Sequence, residues 1–215
     1  MYKWQKIEQL YQSGLIAVVR RPKFEQVFDI AEALVAGGVG ALEVTLDTDR
    51  ALDIIYELKN RYGDEVLVGA GTVLDAPSAK MAIDAQSDFI FSPNYNVEMI
   101  QMTNRYGRIS IPGVMTPSEA VEAYAAGADI LKVFPGGALG ASFIKDLQGP
   151  LAHIPVMPTG GVTVENTAQF IQNGAIAIGV GGSLMNEEAI RTQNYAQLTK
   201  IARQFSEQIK KARAE

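Results

Sequence analysis

The sequence contains no cysteine, and its apolar runs are all short. Without cysteine there can be no disulfide, no thiolate-bound metal and no thiol nucleophile, a composition that fits a reducing cytosol. A helix that spans a bilayer needs roughly 18 to 20 consecutive apolar residues, and no segment reaches that length. The polar first residues also lack the apolar core of a secretory leader. We therefore expect a soluble, cytoplasmic protein that does not interact with membranes.

Clustered positive charge and metal-ligand patterns are missing as well. The chain carries 19 Lys and Arg against 24 Asp and Glu, a net charge of −5, and its basic residues are scattered except near the C-terminus. A nucleic-acid-binding face needs a basic patch that neutralises phosphates, so we expect no nucleic-acid partner. No His, Asp and Glu residues recur at metal-ligand spacing. The sequence therefore favours chemistry without a metal, and we predict no cofactor.

What the sequence does contain is a regular alternation of two kinds of segment. Short apolar runs are separated by stretches that carry apolar residues at helical spacing and glycine where a helix would end. The apolar runs cover residues 15–20, 41–46, 66–72, 89–94, 108–113, 130–135, 154–160 and 175–182. Repeated strand–helix units predict a parallel sheet with right-handed crossovers.

Eight such units close a barrel, so we predict an α/β fold of the (β/α)₈ TIM barrel type, with residues 1–215 as a single domain. A doubly wound open sheet uses the same units, but eight evenly spaced strands in 215 residues favour the barrel. Residues 2–13 are predicted to form an extra N-terminal helix that closes the barrel bottom. Residues 187–211 are predicted to form a long, charged helix.

Two ionisable residues lie inside predicted strands. Strand alternation puts Lys132 on the same face as Ile130 and Phe134, and it puts Glu43 opposite an aliphatic face. Desolvation of a lysine inside a barrel favours the neutral amine, which can attack a ketone and form an imine. An inward carboxylate offers a base for the proton transfers that follow. A structural Lys132–Glu43 ion pair, or a lysine that extends outward between helices, remains the alternative.

Small and polar residues follow several predicted strands, at the end where barrels build their active sites. The loops after the last two strands predict a phosphate site, because small residues let backbone N–H groups approach an anion. These loop residues are Thr159, Gly160, Gly161, Gly181, Gly182 and Ser183. Arg20 at the end of the first strand can grip a carboxylate, and Thr72 offers a hydroxyl at the same rim. Glycine pairs in turns and a solvated rim arginine are the ordinary alternatives.

The motifs LEVTL, GAGTV, SPN, IPGVMTPSEA, LKVFPGG, PTGGV and GVGGSL occur in this order between Leu15 and Leu184. The set resembles the 2-keto-3-deoxy-6-phosphogluconate (KDPG) and 4-hydroxy-2-oxoglutarate (KHG) aldolases. The resemblance implies a class I, metal-free aldolase that cleaves a 2-keto-4-hydroxy acid into pyruvate and an aldehyde, commonly as a homotrimer.

The resemblance also implies roles for particular residues. Lys132 would be the Schiff-base lysine and Glu43 the general acid/base. Arg20 and Thr72 would contact the carboxylate or keto end of the substrate, and Pro93 would line the pocket. The six loop residues after the last two strands would receive a substrate phosphate.

One position departs from the family pattern. Some members have an arginine where this chain has Asp47, just after LEVTL, and an acid cannot hold an anionic substrate. Either Arg20 suffices for the carboxylate or the preferred substrate differs. Two other functions share the same glycine loops: a phosphate-binding barrel isomerase or synthase that forms no imine, and a non-catalytic barrel that binds a regulatory sugar phosphate. Retention of both Lys132 and Glu43 argues against the last of these.

Overall fold

The computed structural model describes residues Met1 to Ala214, in which parallel strands alternate with helices. The strands are β1 (Leu15–Val19), β2 (Ala41–Thr45), β3 (Leu67–Gly71), β4 (Phe89–Phe91), β5 (Ile109–Ile111), β6 (Gly113–Val114), β7 (Leu131–Val133), β8 (Val156–Pro158) and β9 (Ile178–Val180). The parallel α/β organisation predicted from the alternating segments is confirmed.

Helix α1 precedes the first strand, and the other helices follow strands and contribute to the cluster on their outer face. They are α1 (Lys3–Ser13), α2 (Val27–Ala36), α3 (Ala51–Tyr62), α4 (Ala76–Asp84), α5 (Val97–Arg105), α6 (Pro117–Ala125), α7 (Gly136–Leu151), α8 (Val164–Gln172), α9 (Glu187–Arg191) and α10 (Tyr195–Ala214), with a short 3-10 helix at Phe24–Gln26 before α2. None of the helices within residues 1–214 is both long and apolar enough to span a membrane.

The strands pair in the order β5-β4-β3-β2-β1-β9, and a second ladder has the order β6-β7-β8. Pro112 separates β5 from β6, and proline has no backbone N–H to donate to a ladder. A parallel bridge between Thr159 and Gly179 links the segment after β8 to β9. The carboxyl ends of all these strands therefore point the same way.

Side chains alternate between two apolar clusters along the strands. The larger cluster lies between strands and helices and includes Leu42 and Leu131. The smaller one gathers inward residues from strands around the sheet, such as Ile16 and Ile130, and it includes Leu10 of α1. Helix α1 therefore packs on the inner cluster, and its Lys6 pairs with Asp88 just before β4, at the amino ends of the strands.

The predicted long helix over residues 187–211 is wrong in one respect, because two helices occupy that stretch. Asn186 caps α9 by accepting a hydrogen bond from the backbone of Ala189, and α9 ends after five residues. Gln193 then adopts a left-handed backbone conformation with φ of 55°, which a right-handed helix cannot contain. Helix α10 restarts at Tyr195 and packs on α8 and α2.

Candidate active site

Lys132 lies at the middle of β7, and its side chain points into the inner space. Its chain neighbours Leu131 and Val133 belong to the outer cluster, as strand alternation requires. The residue is 6% exposed, and its Nζ atom lies 4.2 Å from the ring centroid of Phe91 and 4.9 Å from that of Phe134. The amine is thus surrounded mainly by aromatic surface, which tolerates a cation but solvates it less well than water does.

The electrostatic surroundings of Lys132 favour a neutral amine. Burial lowers the pKa of Lys132, the negative charge of Glu43 opposes that effect, and the positive charge of Arg20 adds to it. The net result is a pKa below the ordinary value for lysine. A larger fraction of the side chain is therefore the unprotonated amine that adds to a carbonyl carbon.

Glu43 lies on β2, in the other strand ladder, and it is 1% exposed. Its Oε2 atom has no hydrogen-bond partner among the described residues, and no ion pair joins it directly to Lys132. Burial raises the pKa of Glu43 to about 7, although the positive charges of Lys132 and Arg20 work against that rise. A carboxyl group with this pKa can both accept and donate a proton near neutral pH.

The fit of Glu43 depends on a glycine in the neighbouring strand. Residues Thr45 and Gly71 pair across β2 and β3, and a Cβ atom at Gly71 would overlap the Glu43 carboxylate. Glycine is therefore required at position 71 for the carboxylate to lie along the inner face. The GAGT segment contributes space to the site as well as the hydroxyl of Thr72.

Arg20 and Thr72 contact each other at the carboxyl ends of β1 and β3, the strand ends where the site lies. Arg20 Nη2 donates a hydrogen bond of 3.0 Å to Thr72 Oγ1. The Arg20 side chain is 55% exposed and lines a pocket at the carboxyl ends of the strands, which we call the mouth of the site. A guanidinium with free donors at this position can bind a carboxylate that enters the site.

Pro93 lies in the loop after β4, and it is packed closely on the start of β6. A Cβ atom at Gly113 would collide with the carbonyl group of Pro93, so glycine permits this approach. The Gly113 backbone N–H donates to the Asn94 carbonyl oxygen at 3.2 Å. These contacts hold the loop against the strand that pairs with Lys132.

The loops after β8 and β9 are brought together, as their predicted shared role requires. Ser183 Oγ donates to the Val162 carbonyl oxygen at 2.7 Å, and Thr159 pairs with Gly179. Gly160 and Gly161 have positive φ angles of 81° and 73°, a conformation that glycine adopts at little cost.

Two details of these loops bear on ligand binding. Thr159 Oγ1 is buried and has no hydrogen-bond partner among residues 1–214, and it packs so closely on Gly179 that a Cβ atom there would overlap it. The Ser183 hydroxyl already donates its hydrogen bond to Val162. Towards a ligand, Ser183 can therefore donate only its backbone N–H, and its hydroxyl oxygen can only accept. Gly181 and Gly182 line a pocket of about 660 Å³ that continues to Arg20.

Several residues at the site were not predicted from the sequence. Phe134 was expected on the same face as Lys132, but Phe91 was not named, although alternation places it on the same face as Phe89 and so provided a signal for it. The pocket next to Gly181 is also lined by Arg21, Lys23 and Arg191. Their convergence depends on the packing of α9 and has no local sequence signature.

The site offers a buried amine, a buried carboxyl group and an exposed guanidinium at the open end of a parallel α/β fold. Over the described part of the chain, no group of three or more His, Cys, Asp or Glu residues is arranged to hold a metal ion. An amine and a carboxyl group in this arrangement are suited to enzymes that join a carbonyl compound to a lysine and move protons on the adduct.

Comparison with known proteins identifies the family. The model for "KDPG and KHG aldolase" matches residues 7–201, and the chain therefore belongs to the KDPG and KHG aldolase family. The family predicted from the ordered motifs is confirmed. The chain is accordingly a class I aldolase, a carbon–carbon lyase.

Named relatives cover between 79% and 96% of the chain. The 2-dehydro-3-deoxy-6-phosphogalactonate aldolase of Escherichia coli K12 is 36% identical over 171 residues, which is 79% of this chain and 83% of the relative. The KHG/KDPG aldolase of the same strain is 32% identical over 213 residues, with 96% and 98% coverage. A crystal structure of the KDPG aldolase from Legionella pneumophila, with pyruvate captured at low pH as a covalent carbinolamine intermediate, has a TM-score of 0.86 and 30% identity, covering 94% of this chain and 98% of that one.

Proposed function

We propose that this enzyme cleaves KDPG, KHG or both into pyruvate and an aldehyde, with Lys132 as the Schiff-base nucleophile and Glu43 as the general acid/base. The aldehyde would be glyceraldehyde 3-phosphate from the first substrate and glyoxylate from the second. The observation that carries the proposal is the placement of a buried amine with a lowered pKa near a buried carboxyl group whose pKa is about 7.

The chemistry balances with these two groups and water. The Lys132 amine adds to the C2 ketone to give a carbinolamine, which takes up a proton from solvent and loses water to give an iminium ion; hydrolysis of the product iminium ion later returns that proton. The Glu43 carboxylate accepts the proton of the C4 hydroxyl, the C3–C4 bond breaks, and its electrons flow to C3 and the iminium nitrogen to give an enamine. The aldehyde leaves, protonated Glu43 returns a proton to C3, and water releases pyruvate and the free amine.

The remaining site residues would bind the substrate. Arg20 and Thr72 hold the carboxylate or keto end, which the hydrogen bond between them and the open donors of Arg20 support. Pro93 lines the pocket. A substrate phosphate would bind the loop residues Thr159, Gly160, Gly161, Gly181, Gly182 and Ser183, which two contacts hold together.

Borohydride trapping tests the imine. With pyruvate present, borohydride should reduce the imine to a stable secondary amine, inactivate the enzyme and add a pyruvate-derived mass to the peptide that contains Lys132. A wild-type enzyme that is neither inactivated nor labelled would refute the proposal and favour a phosphate-binding isomerase or synthase. Comparison of kcat/KM for KDPG, its galactonate epimer and KHG would then identify the substrate.

The proposal extends to the architecture. Residues 1–215 would form a single domain in which the strands close into an eight-stranded barrel, and α1 would be the extra helix across its bottom. Support comes from the bridge at Thr159 and from the near continuity of β5 and β6 across Pro112, which would join the two ladders. We also propose a homotrimer in the cytoplasm, which analytical ultracentrifugation and cell fractionation test.

A further inference from the structure

The turn after β1 is tied to the turn after β2 by two contacts that involve Arg21. The Arg21 backbone N–H donates to Thr48 Oγ1 at 3.0 Å, and Arg21 Nη2 lies 2.8 Å from Asp47 Oδ2. Arg21 has a φ angle of 51°, a left-handed conformation that a non-glycine residue holds only when its surroundings compensate for the strain. The ion pair and the hydrogen bond provide that compensation.

The same turn determines where Arg20 points. From the end of β1, the Arg20 side chain extends past β2 to Thr72 at the end of β3. Its Nη1 atom lies 3.9 Å from Asp47 Oδ2. Because Arg20 directly precedes Arg21, the backbone that fixes one residue also fixes the starting direction of the other. Asp47 thus contacts one arginine closely and the second at longer range.

Asp47 is itself held in place by contacts within its own turn. The buried Thr45 hydroxyl lies 3.1 Å from Thr48 Oγ1, so the β2 turn is braced internally. Partial burial opposes ionisation of Asp47, but the hydrogen bond with Thr45 and the charges of Arg20 and Arg21 lower its pKa below the ordinary value. Asp47 is therefore an anion at neutral pH.

We propose that Asp47 is a positioning residue for the aldolase reaction, which pairs with Arg21 to fix the β1 turn and thereby aims Arg20 across the mouth at the substrate carboxylate. The proposal rests on the proposed function of Arg20. It gives the acid at this position, where some family members have arginine, a role in substrate binding that needs no contact with the substrate.

Simple electrostatics gives the opposite expectation, which makes the proposal testable by the sign of the effect. An anion near the mouth repels an anionic substrate, so loss of its charge alone should tighten binding. If Asp47 acts by positioning, its loss should weaken binding because Arg20 is no longer pre-oriented.

The experiment compares Asp47→Ala with Asp49→Ala. Asp49 is an exposed residue of the same turn that forms no hydrogen bond or ion pair with any residue from 1 to 214, so it is a control matched for charge. The measured quantities are the pyruvate concentration that gives half-maximal borohydride inactivation and the limiting inactivation rate at saturating pyruvate. We expect Asp47→Ala to raise the half-saturating concentration about threefold to tenfold, with the limiting rate within about twofold of wild type. Asp49→Ala should leave both near wild type.

A double-mutant cycle that combines Asp47→Ala with Arg21→Ala tests whether Asp47 acts on Arg20 through its ion pair with Arg21. If Asp47 acts through Arg21, the double variant should be no worse than the more affected single variant, because both substitutions break the same contact. Asp47→Asn keeps the size of the side chain and provides a second variant if Asp47→Ala folds poorly.

The outcomes separate this proposal from the proposed function. Tighter pyruvate binding in Asp47→Ala, equal behaviour of the two Asp variants, or additive effects in the cycle would each overturn the positioning role while wild type still forms the trapped adduct. Absence of the adduct in wild type would overturn both proposals.

Discussion

Lys6 and Lys132 are both 6% exposed, yet they lie at opposite ends of the strands and in very different surroundings. The Lys6 ammonium at the amino ends lies 2.5 Å from Asp88 Oδ1. Asp88 also pairs with Lys59 at 2.9 Å and accepts a hydrogen bond from the Val68 N–H at 3.0 Å. The charges of Lys6, Lys59 and Asp88 are thus each compensated by a close partner of opposite sign.

At the carboxyl ends, the Lys132 amine has aromatic rings in place of a close carboxylate. Glu43 is near enough to influence the pKa of Lys132, but one of its oxygens has no partner within the described chain. A buried charge without a close partner is costly. The comparison teaches that equal burial produces a structural lysine where the pairing is complete, and that incomplete pairing leaves the amine with the lowered pKa that the proposed mechanism requires.

The largest expected difference between the two ends is in activity. Lys132→Met should lower aldol cleavage by about 10³-fold or more, because the nucleophile is lost. Its free energy of unfolding should stay equal or rise, since an uncompensated buried amine is replaced by an apolar side chain. Activity assays and urea unfolding measure the two effects.

Lys6→Met is the matched control at the other end. It should keep near-normal kcat but lose about 1–3 kcal/mol of stability, because Asp88 loses one of its two ammonium partners. If Lys6→Met abolished activity in a folded enzyme, or if Lys132→Met retained it, the comparison would fail.

The next effect in size concerns proton transfer by Glu43, the buried carboxyl group at the same end of the strands as Lys132. Glu43→Gln should reduce the exchange of pyruvate methyl protons with solvent deuterium by about 10² to 10⁴-fold, because an amide cannot act as the base. NMR measures this exchange, and it does not require knowledge of the aldehyde. Borohydride trapping should still yield an adduct with Lys132, so an unchanged exchange rate would remove Glu43 from its proposed role.

Asp88 is the buried carboxylate at the amino ends of the strands, and its loss should lower the free energy of unfolding. Asp88→Ala leaves Lys6 and Lys59 without their shared buried partner and should destabilise the enzyme by about 3–5 kcal/mol, which urea unfolding measures. Asp64→Ala removes a half-exposed carboxylate that pairs with Lys59 at 3.2 Å and with the N-terminal ammonium at 3.3 Å, and it should cost less than about 1 kcal/mol. The kcat per folded molecule should stay close to wild type in both variants; a large loss in Asp88→Ala would show that the two ends are coupled.

Much of this fold could be predicted because the chain repeats one local pattern. Each of the eight apolar runs contains a strand, and alternation placed Lys132 and Glu43 on the inner side. Period-two patterning carries that information within a few residues. The hydrophobic pattern did not predict the separation of β5 from β6 at Pro112 or the break between α9 and α10 at Gln193, because each is a change at a single residue.

The contacts between loops could not be predicted in the same way. Asp47 was recognised only as a departure from family members that have arginine, since nothing local indicates that it pairs with Arg21. Gly71 lies in the GAGTV motif at the end of a predicted strand, and only the folded structure reveals that it makes space for Glu43. Such contacts join residues 26 or more positions apart in sequence, and they depend on the packing of neighbouring strands.

The smallest expected effect, and the sharpest test of the unpaired carboxyl group, is its pH dependence. Burial raises the pKa of Glu43 from 4.5 to about 7, against the opposing charges of Lys132 and Arg20. Folding therefore favours the protonated group, so its contribution to stability is fully present below pH 4.5 and is lost as the pH rises through about 7. Wild type should lose stability relative to Glu43→Gln across this window.

The exchange rate should follow the opposite trend, because the base is the carboxylate. At saturating pyruvate, where Lys132 is held in the imine, methyl-proton exchange should rise about tenfold per pH unit below neutrality and level off above about pH 7. A plateau already reached near pH 5 would mean that Glu43 titrates as an ordinary carboxyl group. The unpaired oxygen of Glu43, which distinguishes the carboxyl ends of the strands from their amino ends, would then have no effect on the proton transfer that Glu43 carries out.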